Sequence, residues 1–176
     1  MIYKIHLILF ILMLGLQSCG NKKDAVEMNN LSQDQVTEKL LEANKAAIEF
    51  ENKQIDKLIA GSGWNMLETP TGLRYEILEK GNGPKAETGK IARLEYETKL
   101  LNGKIIYSSV QTGAKEFRIG SGGVESGLEE GILLLRQGDK ARFVIPSFLA
   151  HGLSGDQDRI PPKATLIYTL KLIELK

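Results

Sequence analysis

Gly138-Asp139-Lys140-Ala141-Arg142-Phe143-Val144-Ile145-Pro146, followed by Arg159-Ile160-Pro161-Pro162-Lys163-Ala164-Thr165-Leu166-Ile167-Tyr168, is the stretch that decides the fold. It reads as two strands joined by a polar, glycine-containing loop that returns through a double proline. Phe143 and Ile145 lead the first strand, while Leu166, Tyr168, Leu170 and Leu172 face one way in the second. Upstream, Leu94, Tyr96, Thr98 and Leu100 alternate with Arg93, Glu95, Glu97 and Lys99, the pattern of a half-buried strand with a charged outer face. Asn102-Gly103 suits a type I′ hairpin turn, which needs positive φ at both central residues, and leads into a strand through Lys104-Ile105-Ile106-Tyr107. Leu73, Tyr75 and Ile77 share one face of an earlier strand, which closes on the turn residues Gly81-Asn82-Gly83-Pro84.

Two segments carry helical spacing. Ser126-Gly127-Leu128-Glu129 has the form of a capping box, and Leu128, Ile132 and Leu135 follow at i, i+4 and i+7 before Gly138. This predicts a short helix of about three turns. Ser32-Gln33-Asp34-Gln35 is a second capping box. It opens a helix over residues 31–61, with Val36, Leu40, Ala43 and Ala47, then Ile48, Ile55, Leu58 and Ile59, and a stop at Gly61-Ser62-Gly63. Glu42, Lys45, Glu49, Lys53 and Lys57 form its solvated face. The apolar face needs cover, and three placements are open: docking on its own domain, pairing with a second copy or another protein, and partial exposure. Residues 62–71 read as a linker and 72–176 as the main domain. The fold class is α+β, a curved antiparallel sheet wrapped around one short helix, preceded by a separate N-terminal helix.

The chain has 176 residues, enough for one domain with a sizeable core and an appendage. A formal net charge of +1 gives no basic excess that would argue for nucleic acid. The two histidines, His6 and His151, and the single cysteine, Cys19, exclude a multi-histidine metal site, an internal disulfide and a cysteine-cluster zinc site. Lys4 precedes the apolar run Ile5–Leu16, too short for a comfortable membrane span and suited to a signal-peptide core. The run ends in Leu16-Gln17-Ser18-Cys19-Gly20, which resembles a bacterial lipoprotein signal, with Gln17 where a small residue is more usual. On that reading residues 1–18 are a signal peptide, Cys19 is lipidated, and 19–30 are a polar tether. Several acyl chains suffice to hold a protein on a membrane surface without spanning it. The expected location is the cell envelope outside the cytoplasm, periplasmic or at the surface. The plainer alternative is an ordinary secretory signal with an incidental cysteine.

From Gly72 to Lys176 the chain resembles the FK506-binding-protein (FKBP) type of peptidyl-prolyl isomerase. Matching positions include Tyr96, Gly103, Ser108-Ser109, Phe117 with Gly120, Val124, Gly127, Gly131, Gly138, Ile145-Pro146, Gly152, Gly155, Ile160-Pro161-Pro162 and Ala164-Thr165-Leu166. The activity this implies requires no nucleophile, metal or cofactor. Rotation about an X–Pro bond is opposed by amide resonance, with a barrier of ~18–20 kcal/mol. Resonance places charge on the carbonyl oxygen, where water stabilises it. A dry pocket that holds the proline twisted favours the rotated, less polar amide.

The resemblance also implies a site. Tyr96, Val124, Ile160 and Tyr168 stand at pocket positions that the family retains or nearly retains. Ile106 and Lys115 stand where the family has wall phenylalanines, Tyr107 where it has a hydrogen-bonding aspartate, Leu128 where it has a floor tryptophan, and His151 where a loop tyrosine bonds the bound carbonyl. Glu125 replaces an isoleucine that contributes mainly its backbone N–H. The expectations are that Leu128 is both core and floor, that Tyr107 packs with its hydroxyl in solvent, and that Lys115 snorkels outward. His151 either donates an imidazole N–H in place of the tyrosine or sits in solvent.

Two functions follow. The first is a membrane-anchored isomerase of reduced activity acting on proline-containing exported polypeptides. The second is a catalytically weak chaperone or scaffold of an envelope complex. The layout is similar to lipoprotein isomerases associated with gliding motility in Bacteroidetes-type bacteria, through the lipoprotein signal, Asn44-Lys45 and Glu51 with Ile55 in the helix, and Trp64, Thr69 and Gly72-Leu73-Arg74-Tyr75.

Overall fold

Seven strands form one antiparallel sheet in a computed structural model that describes residues 32–176. The expected signal over 1–18, the tether over 19–30 and the lipidation site Cys19 lie outside the described residues. In chain order the elements are α1 (Gln33–Ser62), β1 (Leu67–Glu68), β2 (Arg74–Glu79), β3 (Ile91–Leu100), β4 (Ile105–Ser108), α2 (Ser109–Thr112), β5 (Lys115–Arg118), α3 (Ser126–Leu133), β6 (Lys140–Ile145), a 3-10 turn (Ser147–Leu149) and β7 (Leu166–Leu175). The sheet order is β1-β2-β6-β7-β3-β4. Strand β3 also pairs with β5 along Ile91–Leu94, while β4 takes Glu97–Lys99. The two strands quoted first become β6 and β7, with Phe143 opposite Tyr168 and Ile145 opposite Leu166.

The core lies between the sheet and α3. Leu128, Ile132 and Leu135 meet Leu94, Phe143, Ile145, Leu166 and Leu172, all without solvent exposure. Full burial of each such side chain stabilises the fold by ~1.5–3 kcal/mol relative to exposure. Helix and strand approach so closely that two glycines are required. A Cβ at Gly127 would lie 2.4 Å from Ile145 Cγ2, and one at Gly131 would lie 2.5 Å from Phe143 Cε2. These glycines sit four residues apart, on one helix face.

Helix α3 differs from expectation at both ends. It spans 8 residues, about two turns rather than three. Leu134 closes it, and the chain then enters a bridge between Lys85 and Arg136 that is incompatible with further helix. The expected Ser126–Glu129 capping box does not form. Glu125 is the N-cap residue and makes no side-chain cap bond. Ser126 Oγ instead donates to Leu149 O at 3.2 Å, and Glu129 Oε1 accepts from Gly122 N at 2.9 Å. Ser126 is already inside the helix, and the Glu125 carboxylate has stronger partners in the interior.

The β3–β4 turn is also not type I′. Gly103 has φ 83°, but Asn102 is not among the positive-φ residues. Gly103 N donates to Leu100 O at 2.9 Å and Leu100 N to Lys104 O at 3.0 Å, a β-turn followed by a glycine bulge. Asn102 Oδ1 accepts from Lys104 N at 3.0 Å, which holds the asparagine at the turn without needing positive φ.

Helix α1 begins with the expected capping box, Ser32 N donating to Gln35 Oε1 at 3.0 Å and Gln35 N to Ser32 Oγ at 3.3 Å. Glu42, Lys45, Glu49, Lys53 and Lys57 are exposed. From Ile48 the helix belongs to the same compact unit as the sheet. Ile55 is fully buried against Val144 and Ile167, with Leu58, Ile59, Trp64, Met66 and Leu101 around it. For this half, the three open placements resolve to docking on its own domain. Val144 and Ile167 project to the face of β6 and β7 opposite α3, as strand alternation requires. Polar anchors reinforce the contact. Glu51 Oε1 accepts from Ser147 N at 2.7 Å and Glu51 Oε2 from Ser147 Oγ at 2.9 Å. Arg74 reaches Asn52 Oδ1 at 2.9 Å and Glu68 at 3.3 Å. The 62–71 linker holds the edge strand β1, whose Leu67 lies opposite Tyr75. Among the described residues no helix is long and apolar enough to cross a membrane.

Candidate active site

Seven of the sequence-predicted site residues join one apolar cluster. Ile106 on β4, Leu128 on α3, Ile160 before β7 and Tyr168 on β7 are buried in it, and Tyr96, Val124 and Tyr107 pack against it half-buried. Inward alternation along β3 and β7 supplies Tyr96 and Tyr168, whose ring centroids are 6.1 Å apart at 32°. Tyr96 is held at both ends: its backbone N donates to Ser109 Oγ at 3.0 Å, and its hydroxyl lies 3.1 Å from Thr112 Oγ1. Leu128 has no exposure, and Ile106 and Ile160 have 3% each, so the inner walls are closed to water. Tyr96, Tyr107, Val124, Lys115 and His151 form the half-buried rim.

Glu125 is the largest surprise. The sequence reading gave it only a backbone role, yet its side chain is 6% exposed and gathers three partners. Its Oε1 accepts from Tyr168 Oη at 2.7 Å and lies 3.1 Å from His151 Nε2. Lys115 Nζ is 3.9 Å from Oε2. Burial pushes the Glu125 carboxyl up, but the Lys115 charge, the Tyr168 hydroxyl and His151 outweigh it and hold the group below the usual carboxylate range. Burial, with the Glu125 charge beside it, pushes the Tyr168 phenol well above its ordinary value. The pair is therefore an ionised carboxylate and a neutral phenol.

Lys115 does not snorkel outward. It turns over the Tyr96 ring, 5.4 Å from the centroid, because Glu125 and the ring face supply an inward counter-charge. His151 is neither a free loop histidine nor a free donor, since its Nε2 is committed to Glu125. Tyr107 does not leave its hydroxyl in solvent. It donates to Asp156 Oδ2, and lies 3.3 Å from Asp158 Oδ2. Asp156 Oδ1 in turn accepts from Ile160 N at 2.7 Å and Asp158 N at 3.0 Å. Partial burial raises the Asp156 carboxyl, but the Tyr107 hydroxyl and the backbone N–H groups of Asp158, Ile160 and Arg159 pull it down to about 2. Arg159 NH1 donates to Ile106 O at 3.2 Å and its guanidinium sits 5.4 Å from the Tyr107 ring. The loop carrying Ile160 is thus tied to β4. Asp156-Gln157-Asp158 was the available signal: acids in the loop, with a tyrosine at the wall position where the resembled family has an acid.

The arrangement is an apolar cluster of aromatic and branched side chains with one buried carboxylate at its edge. Among the described residues no group of three His, Cys, Asp or Glu side chains converges as a metal would need. It can exclude water from a small ring and constrain its orientation.

The comparisons agree with this geometry. The sequence profile of the FKBP-type peptidyl-prolyl cis-trans isomerases matches residues 83–173, just over half of the chain. FK506-binding protein 4 of Dictyostelium discoideum is 41% identical over 109 residues, covering 62% of this chain and 30% of that protein. A probable FKBP-type peptidyl-prolyl cis-trans isomerase of Haemophilus influenzae is 34% identical over 149 residues, 81% of this chain and 61% of that protein. The chain therefore spans roughly a third to three fifths of the length of these relatives. The crystal structure of FkpA from Escherichia coli superposes with a TM-score of 0.65 at 28% identity, covering 84% of this chain and 74% of that one. Sheet, short helix and profile together show that the chain belongs to the FKBP-type peptidyl-prolyl cis-trans isomerase family.

Proposed function

We propose that this protein catalyses cis-trans isomerisation of X–Pro bonds in exported polypeptides, at the site bounded by Tyr96, Ile106, Val124, Leu128, Ile160 and Tyr168. The observation that carries the reading is the convergence of these side chains from the sheet, α3 and the loop before β7 into one apolar cluster. The inner walls are dry, so a prolyl ring enters as the Ile160 loop or the Lys115 side chain moves aside. Once inside, the ring displaces water from the amide carbonyl and is held twisted; no proton transfer or covalent step is needed. Lowering the barrier by about 1.36 kcal/mol gives each tenfold in rate. Tyr107 acts by tying down the Ile160 loop. Ile106, Lys115 and Leu128 stand where the family pattern has wall and floor aromatics, and His151 where it has the loop tyrosine, which supports reduced activity toward simple peptides.

The test is cis-trans exchange of an Ala-Leu-Pro-Phe peptide followed by NMR with the purified chain. Acceleration lost in the Tyr96→Ala/Ile160→Ala double variant supports the reading. A domain that binds an unfolded client equally well in that double variant, with no peptide exchange, would instead be a scaffold.

The envelope location rests on Lys4, the Ile5–Leu16 run and Cys19-Gly20. On this reading Cys19 carries the lipid, and the likeness of layout to gliding-motility lipoprotein isomerases suggests the setting. Labelled palmitate incorporated by the native chain and absent from Cys19→Ala tests it; equal labelling of both removes the anchor.

A further inference from the structure

Glu125 has one carboxylate oxygen in use and one left over. Oε1 takes the Tyr168 hydroxyl at 2.7 Å and faces His151 Nε2 at 3.1 Å. Oε2 is buried and has no hydrogen-bond partner among the described residues. Lys115 Nζ, 3.9 Å away, is beyond hydrogen-bonding reach and rests over the Tyr96 ring. The glutamate side chain is only 6% exposed. A buried anion with an unused acceptor destabilises its surroundings until a donor arrives. The wall across the cluster adds more negative charge. Asp156 and Asp158 flank the Tyr107 hydroxyl, and the cation beside them, Arg159, lies 3.7 Å from Asp158. Around the site lie the carboxylates of Glu125, Asp156 and the exposed Asp158, with Lys115, the exposed Arg159 and the His151 imidazole beside them.

We propose that Glu125 is a specificity-determining residue that selects X–Pro segments with a basic side chain at X, whose N–H groups supply the donor that Oε2 lacks. The proposal rests on the prolyl-site reading above. Charge-assisted hydrogen bonds are shorter and stronger than neutral ones, and the apolar walls leave the charge poorly screened. Lys115 is the resident counter-ion that keeps the empty site tolerable. Lys115 is held by charge and by the Tyr96 ring but makes no hydrogen bond to Glu125, so an incoming cation that donates to Oε2 competes for its place. An acidic X residue meets the Glu125 carboxylate and is rejected.

The experiment uses the 176-residue chain and three peptides, Ala-X-Pro-Phe with X as Lys, Leu or Glu. Exchange is read by NMR, which needs no coupling protease, and Kd is titrated on the same samples. The expected Lys-to-Glu ratio of kcat/KM is about tenfold or more. Glu125→Gln brings it to within about threefold. Lys115→Met, which removes the competing cation, widens it. A glutamate that only braces the fold would lower all three peptides together and leave the ratio unmoved. A wild-type ratio near one, a preference for the Glu peptide, or a ratio untouched by both variants overturns the proposal. If Glu125→Gln does not fold, the Lys115→Met arm still decides. A Lys-over-Glu preference in Kd without any exchange would remove the isomerase reading and keep this one; exchange with equal ratios does the reverse.

Discussion

Tyr168 donates its buried hydroxyl to Glu125 Oε1 at 2.7 Å, joining the back of the site on β7 to the residue that precedes α3. Each group alone would be costly in an apolar surrounding, and together they satisfy each other. Tyr168→Phe leaves Oε1 with His151 alone and is expected to lower stability by about 1–3 kcal/mol. Glu125→Leu in the same background is expected to restore part of that loss, because both polar partners are then gone. A urea double-mutant cycle reads the coupling. Additivity to within about 0.5 kcal/mol would show that the pair does not interact energetically.

The Tyr107–Asp156 bond makes a prediction about the loop over the site. Tyr107→Phe is expected to speed amide exchange at Ile160, whose N–H donates to Asp156 Oδ1 at 2.7 Å, and to raise KM more than it lowers kcat. The pH dependence has a definite sign. Asp156 is depressed from its ordinary 3.8 to about 2 in the folded protein, so its contribution is fully present above 3.8 and is lost as pH falls through about 2. Protection of Ile160 is expected to fall across that window in the native protein and to be flat there in Asp156→Asn. A native profile that matches the Asp156→Asn profile would remove the latch.

Two glycine-to-alanine changes are expected to act in opposite directions. Gly131→Ala forces a methyl to 2.5 Å from Phe143 Cε2, and overpacking of this kind costs ~1–3 kcal/mol. Gly61 lies in α1 without positive φ, and a methyl added to it would meet nothing within 4 Å. Gly61→Ala is expected to stabilise by ~0.4–1 kcal/mol through the unfolded chain. Denaturation midpoints of the two variants check both signs, and a neutral Gly131→Ala would mean α3 is free to lift from β6.

How far the sequence was readable follows from which signals are local. The alternation in β3 and β7 carried the sheet, because burial of one face imposes a period of two on the residues themselves. The capping box at Ser32 was legible for the same reason. The Ser126 box failed because a residue before it, Glu125, is claimed by partners on β5, on β7 and after the 3-10 turn, which no local pattern reveals. The apolar half of the site, Tyr96, Ile106, Val124, Leu128, Ile160 and Tyr168, could be named from resemblance. The polar members Lys115, His151 and Tyr107 were named from the same resemblance, but each was read alone and its partner was missed. Their roles come from long-range pairs with Glu125 and Asp156. Gly127 and Gly131 at a spacing of four carried an unread signal of close helix-strand approach.

Docking of α1 is a further case where only tertiary context decides. Ile55 is fully buried between Val144 and Ile167. Ile55→Ala is expected to cost ~2–5 kcal/mol, the range for emptying a core position. Glu51→Ala is expected to expose the Ser147 amide to faster exchange, since Glu51 Oε1 accepts from it at 2.7 Å. An Ile55→Ala variant as stable as the native chain would mean the helix is not part of the folded unit in solution.

The central claim is that the converging apolar side chains accept a prolyl ring and ease rotation of its amide. The most direct measurement is NMR exchange of an Ala-Leu-Pro-Phe peptide at micromolar protein, with Tyr96→Ala and Tyr168→Ala beside the native chain. The account predicts acceleration of about tenfold or more over the uncatalysed rate, falling by a similar factor in each variant that remains folded. Exchange at the uncatalysed rate with the folded native protein, or acceleration that both variants retain in full, would contradict it.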